Sequence, residues 1–241
     1  MADTMTAHVR IFRSDPSSGE PDRYDEFEVT GAATMRVLDV LRSVYEHDCH
    51  DLAFQYACRI GRCGTCGVQV NGKPVLACQE RAIAEMTVEP LSPFPVVRDL
   101  VIDRTEVEEH YVELDLAPQR SAPHAGVIDP VEPERGRAIS ILGSCIGCMI
   151  CVSACPAVQD RPFDGPAFML QLRRLADLPA DQGPRLEQAI EHGMLECFGC
   201  DACTQLCPAD LSPADAIRGF RSEVLLGRRR GGRRKENSNG N

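Results

Sequence analysis

CIGCMICVSACP at residues 145–156 returns, with the same spacing, as CFGCDACTQLCP at 197–208. Each stretch reads Cys-x2-Cys-x2-Cys-x3-Cys-Pro, the bacterial iron–sulfur run in which the fourth cysteine ligates the other cluster. One such run alone is open to a zinc reading. Two copies, each closing on Cys-Pro, predict a two-cluster ferredoxin unit with crossed ligands. One cluster falls to Cys145, Cys148, Cys151 and Cys207, the other to Cys155, Cys197, Cys200 and Cys203. The crossing ties two segments far apart in sequence into one body.

The flanks of these runs are helical in pattern. DGPAFMLQLRRLADLP (164–179) starts after Gly-Pro and puts Phe168, Leu172 and Leu175 on one side. A second helix has Pro184 near its start and leads into the second run. SPADAIRGFRSEVLL (212–226) offers Ser212 as N-cap, Pro213 in the first turn and Asp215 where the helix dipole favours an anion. Residues 139–227 are therefore expected to form an all-α, two-cluster ferredoxin-like domain.

A second cysteine constellation lies upstream. Cys58-Arg-Ile-Gly-Arg-Cys63-Gly-Thr-Cys66 is followed, after GVQVNGKPVLA, by Cys78. C-x4-C-x2-C…C is the plant-type 2Fe–2S spacing, and zinc sites rarely take that form with glycines between the ligands. Gly61, Gly64 and Gly67 let the backbone curl and bring amide N–H groups towards sulfur. VQVNGKPVLAC reads as a hairpin turned at Asn71-Gly72, which carries Cys78 back to the other three. HVRIFR (8–13) and YDEFEV (24–29) alternate like strands around a long turn-rich loop. MRVLDVLRSVYEH (35–47) places Val37, Leu38, Leu41, Val44 and Tyr45 near one helical face, with Thr34 as N-cap. Hairpin, helix, cluster loop and hairpin predict a β-grasp ferredoxin domain over residues 1–105. The fold class is α+β.

Cys49 stands outside every motif. It is read as a free, partly buried thiol, with His47 and His50 beside it giving only weak support for a small metal site. Residues 106–138 read as a linker: VVRDLVIDRTEVEEHYVEL (96–114) as a mostly polar helix, and 117–136, rich in Pro, Gly and Ala, as a connecting loop. The acidic residues crowding 103–115 read as a solvated face. Residues 228–241 form a basic tail with no apolar face, expected to be disordered and able to rest on anionic lipid headgroups.

Composition narrows the setting. The 241 residues carry a formal charge of −10, which argues against general nucleic-acid binding. With 5 % aromatic residues and no Trp, large aromatic side chains add little to the core, and clusters can supply the missing staple. Thirteen cysteines without a signal-peptide pattern at the start predict metal-bound thiolates in a reducing cytosol. No apolar stretch reaches membrane-spanning length.

With CRIGRCGTCG, VLAC, VVRDLVID, GPA, the paired Cys-Pro runs and SPADAI in this order, residues 8 to 226 resemble the iron–sulfur subunit of succinate dehydrogenase and fumarate reductase. That resemblance implies a non-catalytic electron-transfer subunit of an oxidoreductase complex, with no catalytic residue of its own. An FAD flavoprotein subunit would interconvert succinate and fumarate, a step of the tricarboxylic acid cycle. Electrons would pass through 2Fe–2S, 4Fe–4S and a third cluster, usually 3Fe–4S, to or from quinone at a membrane anchor. The expected location is peripheral, on the cytoplasmic side of the cell membrane, as part of a complex.

Two departures stand out. The family position matching Cys200 is usually apolar, leaving three cysteines and a 3Fe–4S centre; here Cys200 completes four, so a second 4Fe–4S cluster fits. Members with this extra cysteine can pair with a cysteine-rich subunit like that of heterodisulfide reductase. The usual quinone site has a Trp soon after the first Cys-Pro and a His after the first cysteine of the second run. Ala157, Val158 and Gln159 occupy the former region and Phe198 the latter place. A different flavin dehydrogenase using the same relay, and a structural zinc-binding module, are the competing readings.

Overall fold

The computed structural model describes residues 3–113, 115–120 and 130–227; the predicted basic tail lies outside them. Strands β1 (Thr4–Arg13) and β2 (Arg23–Ala32) pair antiparallel from Thr4↔Ala32 to Arg13↔Arg23, closing the long-loop hairpin. β3 (Gly67–Val70) and β4 (Lys73–Leu76) form the second hairpin. Its turn places Asn71 and Gly72 both at positive φ, 49° and 76°, as a two-residue type I′ turn requires. β5 (Glu85–Glu89) enters between the hairpins, parallel to β1 and antiparallel to β3, giving the order β2-β1-β5-β3-β4.

One helix covers this sheet. α1 (Val37–His47) buries Val37, Leu38, Val40, Leu41 and Val44 against Val9, Ile11, Val68 and Val88. Tyr45, expected on that face, is instead 45 % exposed and packs edge-on to Phe54 and His50, because Val40 fills the place towards the sheet. The expected cap at Thr34 also moves: Arg36 is the N-cap, and its amide donates to Asp39 three residues on.

The segment 96–114 is not one helix. Asp99 sits at φ 48° and its buried carboxylate accepts from Ser14 N, Ala53 N and Arg13 Nε, which pins a tight turn. Around it lies a short ribbon, β6 (Val96–Arg98) and β7 (Val101–Ile102), and α2 (Thr105–Glu113) begins only beyond it. The expected loop over 117–136 is corrected at its end, where α3 (Pro133–Leu142) starts, capped by the Glu132 carboxylate. Its residues 121–129 lie outside the described residues.

The C-terminal part is helical throughout: α4 (Ile150–Ser153), α5 (Pro156–Asp160), α6 (Pro166–Ala176), α7 (Arg185–Glu191), a 3-10 turn (Met194–Glu196), α8 (Ala202–Gln205) and α9 (Pro213–Leu225). Phe168 and Leu172 on α6 meet Ile217 and Phe220 on α9 in one core, and Leu175 is buried as well. Ser212 takes the N-cap position of α9 but makes no side-chain cap bond, so Pro213 and Asp215 carry that helix start.

The two parts touch closely. A β-carbon on Gly64 would stand 2.5 Å from the Ile146 carbonyl oxygen, and one on Gly67 3.4 Å from that of Cys148. Gln69 donates to Ser153 Oγ at 3.1 Å, and Cys148 and Ile150 belong to the core of the sheet domain.

Candidate iron–sulfur sites

The loop before β3 gathers the first set of cysteines. Arg59, Gly61 and Gly64 adopt positive φ of 59°, 72° and 73°, which turns amides inward. Arg62 N and Ile60 N donate to Cys58 Sγ at 3.2 and 3.5 Å, and Cys58 N donates to Cys63 Sγ at 3.5 Å. Thr65 Oγ1 lies 3.2 Å from Cys63 Sγ. The Ala77 amide donates to the Cys66 carbonyl at 2.9 Å, so the end of β4 returns Cys78 to Cys66. The environments differ across the loop. The Cys58 amide and the Thr65 hydroxyl pull the Cys63 thiol down to about 6, whereas burial pushes that of Cys66 up to about 12. Donors aimed at sulfur are what a thiolate-ligated cluster uses to set its potential.

The two long runs share a conformation as well as a spacing. Their third residues, Gly147 and Gly199, have φ 60° and 73°, and their fifth, Met149 and Asp201, both have φ 63°. A non-glycine residue at positive φ is uncommon, so its recurrence at equivalent places shows that the sequence repeat is a backbone repeat. Each left-handed residue opens a four-residue helix, α4 or α8, and these two helices pack together.

That pairing crosses the fourth cysteines. Cys145, Cys148 and Cys151 line one hollow with Cys207, walled by Leu170 and Leu211. Cys197, Cys200 and Cys203 line another with Cys155, bordered by Phe198 and Ile217. Among the described residues, no three His, Cys, Asp or Glu side chains converge tightly enough to grip one metal ion. The sulfurs stand around hollows instead, an arrangement suited to a polynuclear centre. Burial raises the thiols of Cys148 and Cys203 to about 11, and those of Cys151 and Cys155 upward as well.

Several arginines around these hollows went unseen in the sequence, since they have no fixed offset from the cysteines. Arg104, just before α2, donates to the Gly147 carbonyl at 2.8 Å. Arg221 on α9 donates to the carbonyls of Leu195 and Cys197 at 2.9 and 2.6 Å. Arg218 pairs with Asp201 and Asp215, and the Arg161 guanidinium lies 4.5 Å above the half-exposed Phe198 ring. Cys200 is exposed, whereas Ala157, in the region of the absent Trp, is buried. Cys49 is partly buried, accepts from Arg13 Nη1 at 2.8 Å and donates to Asp51 at 3.1 Å. His47 and His50 each turn Nδ1 to a main-chain carbonyl, of Ser43 and Tyr45, and among the described residues they join no group of three side chains able to hold a metal ion.

Residues 8–109 match the 2Fe–2S iron–sulfur cluster binding domain family, and residues 141–211 the 4Fe–4S dicluster domain family. The chain is 30 % identical to the fumarate reductase iron–sulfur subunit of Escherichia coli, over 90 % of this chain and 93 % of that protein. It is 31 % identical to that of Mycobacterium tuberculosis, over 92 % and 93 %. A longer relative, a subunit of the fumarate reductase (CoM/CoB) of Methanothermobacter marburgensis, is 32 % identical over 89 % of this chain but 44 % of its own length. The chain spans less than half the length of this and two other methanogen relatives it matches. In structure it superposes on a chain of the Mycobacterium smegmatis Sdh1 complex in the apo form with a TM-score of 0.82, at 27 % identity and covering 94 % of this chain and 98 % of that one.

Proposed function

The chain belongs to the iron–sulfur subunits of fumarate reductase and succinate dehydrogenase, and we propose that it relays electrons through three clusters between an FAD flavoprotein subunit and an acceptor. Cys58, Cys63, Cys66 and Cys78 would hold 2Fe–2S; Cys145, Cys148, Cys151 and Cys207 a 4Fe–4S centre; Cys155, Cys197, Cys200 and Cys203 a third cluster. The observation that carries this reading is the crossed pair of four-cysteine hollows, each closed by the last cysteine of the other run. The clusters supply one-electron chemistry. This chain's residues would hold them, aim N–H donors at the sulfurs and keep Cys66, Cys78, Cys148, Cys155 and Cys203 away from water.

The position is peripheral, on the cytoplasmic side of the cell membrane in a complex. Among the described residues, no helix is long and apolar enough to cross a membrane. Four cysteines in the hollow of Cys155, Cys197, Cys200 and Cys203, with Phe198 and Ala157 in place of the usual His and Trp, favour a cysteine-rich, heterodisulfide-reductase-like partner over quinone as the acceptor. The likeness to a methanogen subunit named for CoM/CoB supports the same reading.

Iron analysis and potentiometric EPR of the anaerobically purified chain test both levels. Full loading gives roughly ten irons per chain, the sum over one 2Fe–2S and two 4Fe–4S centres, and a colourless zinc protein would overturn the relay. Cys200→Ser should introduce an oxidised-state 3Fe–4S signal absent from the parent. If the parent already shows that signal, Cys200 is not a ligand.

A further inference from the structure

Arg104 reaches the first run with donor capacity that the described residues leave unspent. It precedes α2, in the segment joining the two domains, yet its Nη2 reaches the carbonyl of Gly147, between Cys145 and Cys148. Its Nε is buried, and among the described residues it has no hydrogen-bond partner. No carboxylate among those residues comes within ion-pair distance of it, although Asp103 is its neighbour in sequence and bonds the Thr105 amide instead. Burial and then the negative charges of the Cys145 and Cys151 thiolates push the phenol of the partly buried Tyr111 upward, and the positive charge of Arg104 opposes them there. A cation with an unused donor, half-buried beside a four-cysteine hollow, has no structural role that its single hydrogen bond explains.

We infer that Arg104 is a potential-setting residue, its charge favouring the reduced form of the centre held by Cys145, Cys148, Cys151 and Cys207. This rests on the ligand assignment proposed above. The step affected is the gain of one electron at that centre, with no bond made or broken and no proton required. Reduction adds a negative charge beside the guanidinium, so the arginine makes the electron more welcome there. The second run supplies an internal comparison: Arg221 reaches the carbonyl of Cys197, and Arg218 there is neutralised by Asp201 and Asp215. Arg104 reaches the first run, at Gly147, and its removal should leave the centre of the second run, the outer one, unmoved.

Potentiometric EPR on the full chain, purified anaerobically, decides this with Arg104→Gln and Arg104→Lys. The Gln variant should show the inner centre's reduced-to-oxidised ratio lowered about tenfold at a fixed ambient potential, a shift of about 59 mV to the negative for a one-electron couple. The outer centre and the 2Fe–2S centre should keep their values, and the Lys variant should stay near the parent. An unmoved inner potential in the Gln variant overturns the inference, as does a Lys variant that shifts as far as Gln. If the Gln variant loses the inner centre's signal, the Lys variant decides alone: a parental potential supports the charge, and a shift or loss overturns it. A parent protein lacking the inner 4Fe–4S signal would instead refute the ligand assignment.

Discussion

Replacing Gly64 by Ala tests whether the two domains meet as closely as the backbone indicates. The substitution changes no ligand, for Gly64 lies between Cys63 and Cys66. It adds one methyl at φ 73°, pointing at Ile146 O (2.5 Å), Cys148 Cα (3.1 Å) and Cys148 Cβ (3.2 Å). Two costs follow. Holding Ala in the left-handed region costs about 1–2 kcal/mol, and forcing a methyl into a packed contact adds about 1–3 kcal/mol. Gly72 separates them: its φ is 76° and nothing lies within 4 Å of an added β-carbon, so Gly72→Ala carries the first cost alone. At about 2–4 °C per kcal/mol for a chain of this size, Gly64→Ala should melt about 2–12 °C below Gly72→Ala. Calorimetry of both variants with their clusters intact gives the comparison, and iron content should match the parent. Equal melting temperatures would show that the 2Fe–2S loop does not rest on the first run, and with that the argument for adjacent centres would fall.

Two buried arginines give further tests. Arg13 donates Nε to Asp99 and Nη groups to Asp25 and Asp51, tying β1 to β2 and to the loops at residues 51 and 99. Arg13→Met should cost about 3–5 kcal/mol by stranding the buried Asp99, measured as a lower urea midpoint; an unchanged midpoint would mean that Ser14 N and Ala53 N satisfy Asp99 alone. Acid sensitivity should follow. Asp51 lies below the ordinary carboxylate range, held there by the Cys49 hydrogen bond and then by Arg13. Its contribution is present above the ordinary value of about 3.9 and is lost as pH falls through the lower native value. Weakening that pull in Arg13→Met should raise the acid-unfolding midpoint, and a midpoint that stays put would discount the charge. Arg185, paired with the buried Asp181 and donating to the carbonyls of Asp115 and Ala117, fastens the segment after α2 to α7. Arg185→Met, at about 3–5 kcal/mol for a broken buried pair, should speed hydrogen exchange at Gln119 and Gln182 while β1 and β5 keep their protection. Unaltered exchange there would show that the segment is held by other contacts.

Elements with a strong period or a demanding turn were legible in the sequence. The Asn71-Gly72 hairpin, the face of α6 and the start of α9 at Pro213 follow from local chemistry. The spacing Cys-x2-Cys-x2-Cys-x3-Cys likewise carries its own geometry, for a tight loop must turn left-handed at its third residue to face its sulfurs inward. What resisted reading was set by distant partners. VVRDLVID scans as helix, yet Asp99 is captured by Arg13, Ser14 and Ala53, whose side chain and amides lie at least 46 residues away. Tyr45 keeps the helical period of α1 but loses its inward place to Val40, because only the assembled sheet decides which edge of the face is covered. Arg104 and Arg221 reach the cysteine runs from outside any motif, so nothing in their neighbours announces them.

The sequence repeat is symmetrical, and the fold breaks that symmetry. Both runs turn left-handed at matching residues and open matching short helices. The first is pressed more closely against the sheet domain: Gly64 meets Ile146, Gln69 bonds Ser153, Arg104 bonds Gly147, and Cys148 is part of the sheet's own core, whereas the second reaches that core through Leu206. The second leaves Cys200 and Phe198 towards solvent and is fastened from behind by Arg221. Twelve cysteines in three motifs say how many centres to expect, but not their order. The close approach of two glycines supplies it, because a loop with no side chain is what lets one cluster site abut the next. Under the proposed assignment, an electron leaving the Cys58–Cys78 loop would have the Cys145 hollow as its neighbour and the Cys200 hollow beyond it. In the proposed relay the extra cysteine would stand at the far end, where a change of cluster would alter which acceptor can be reduced without disturbing the steps behind it.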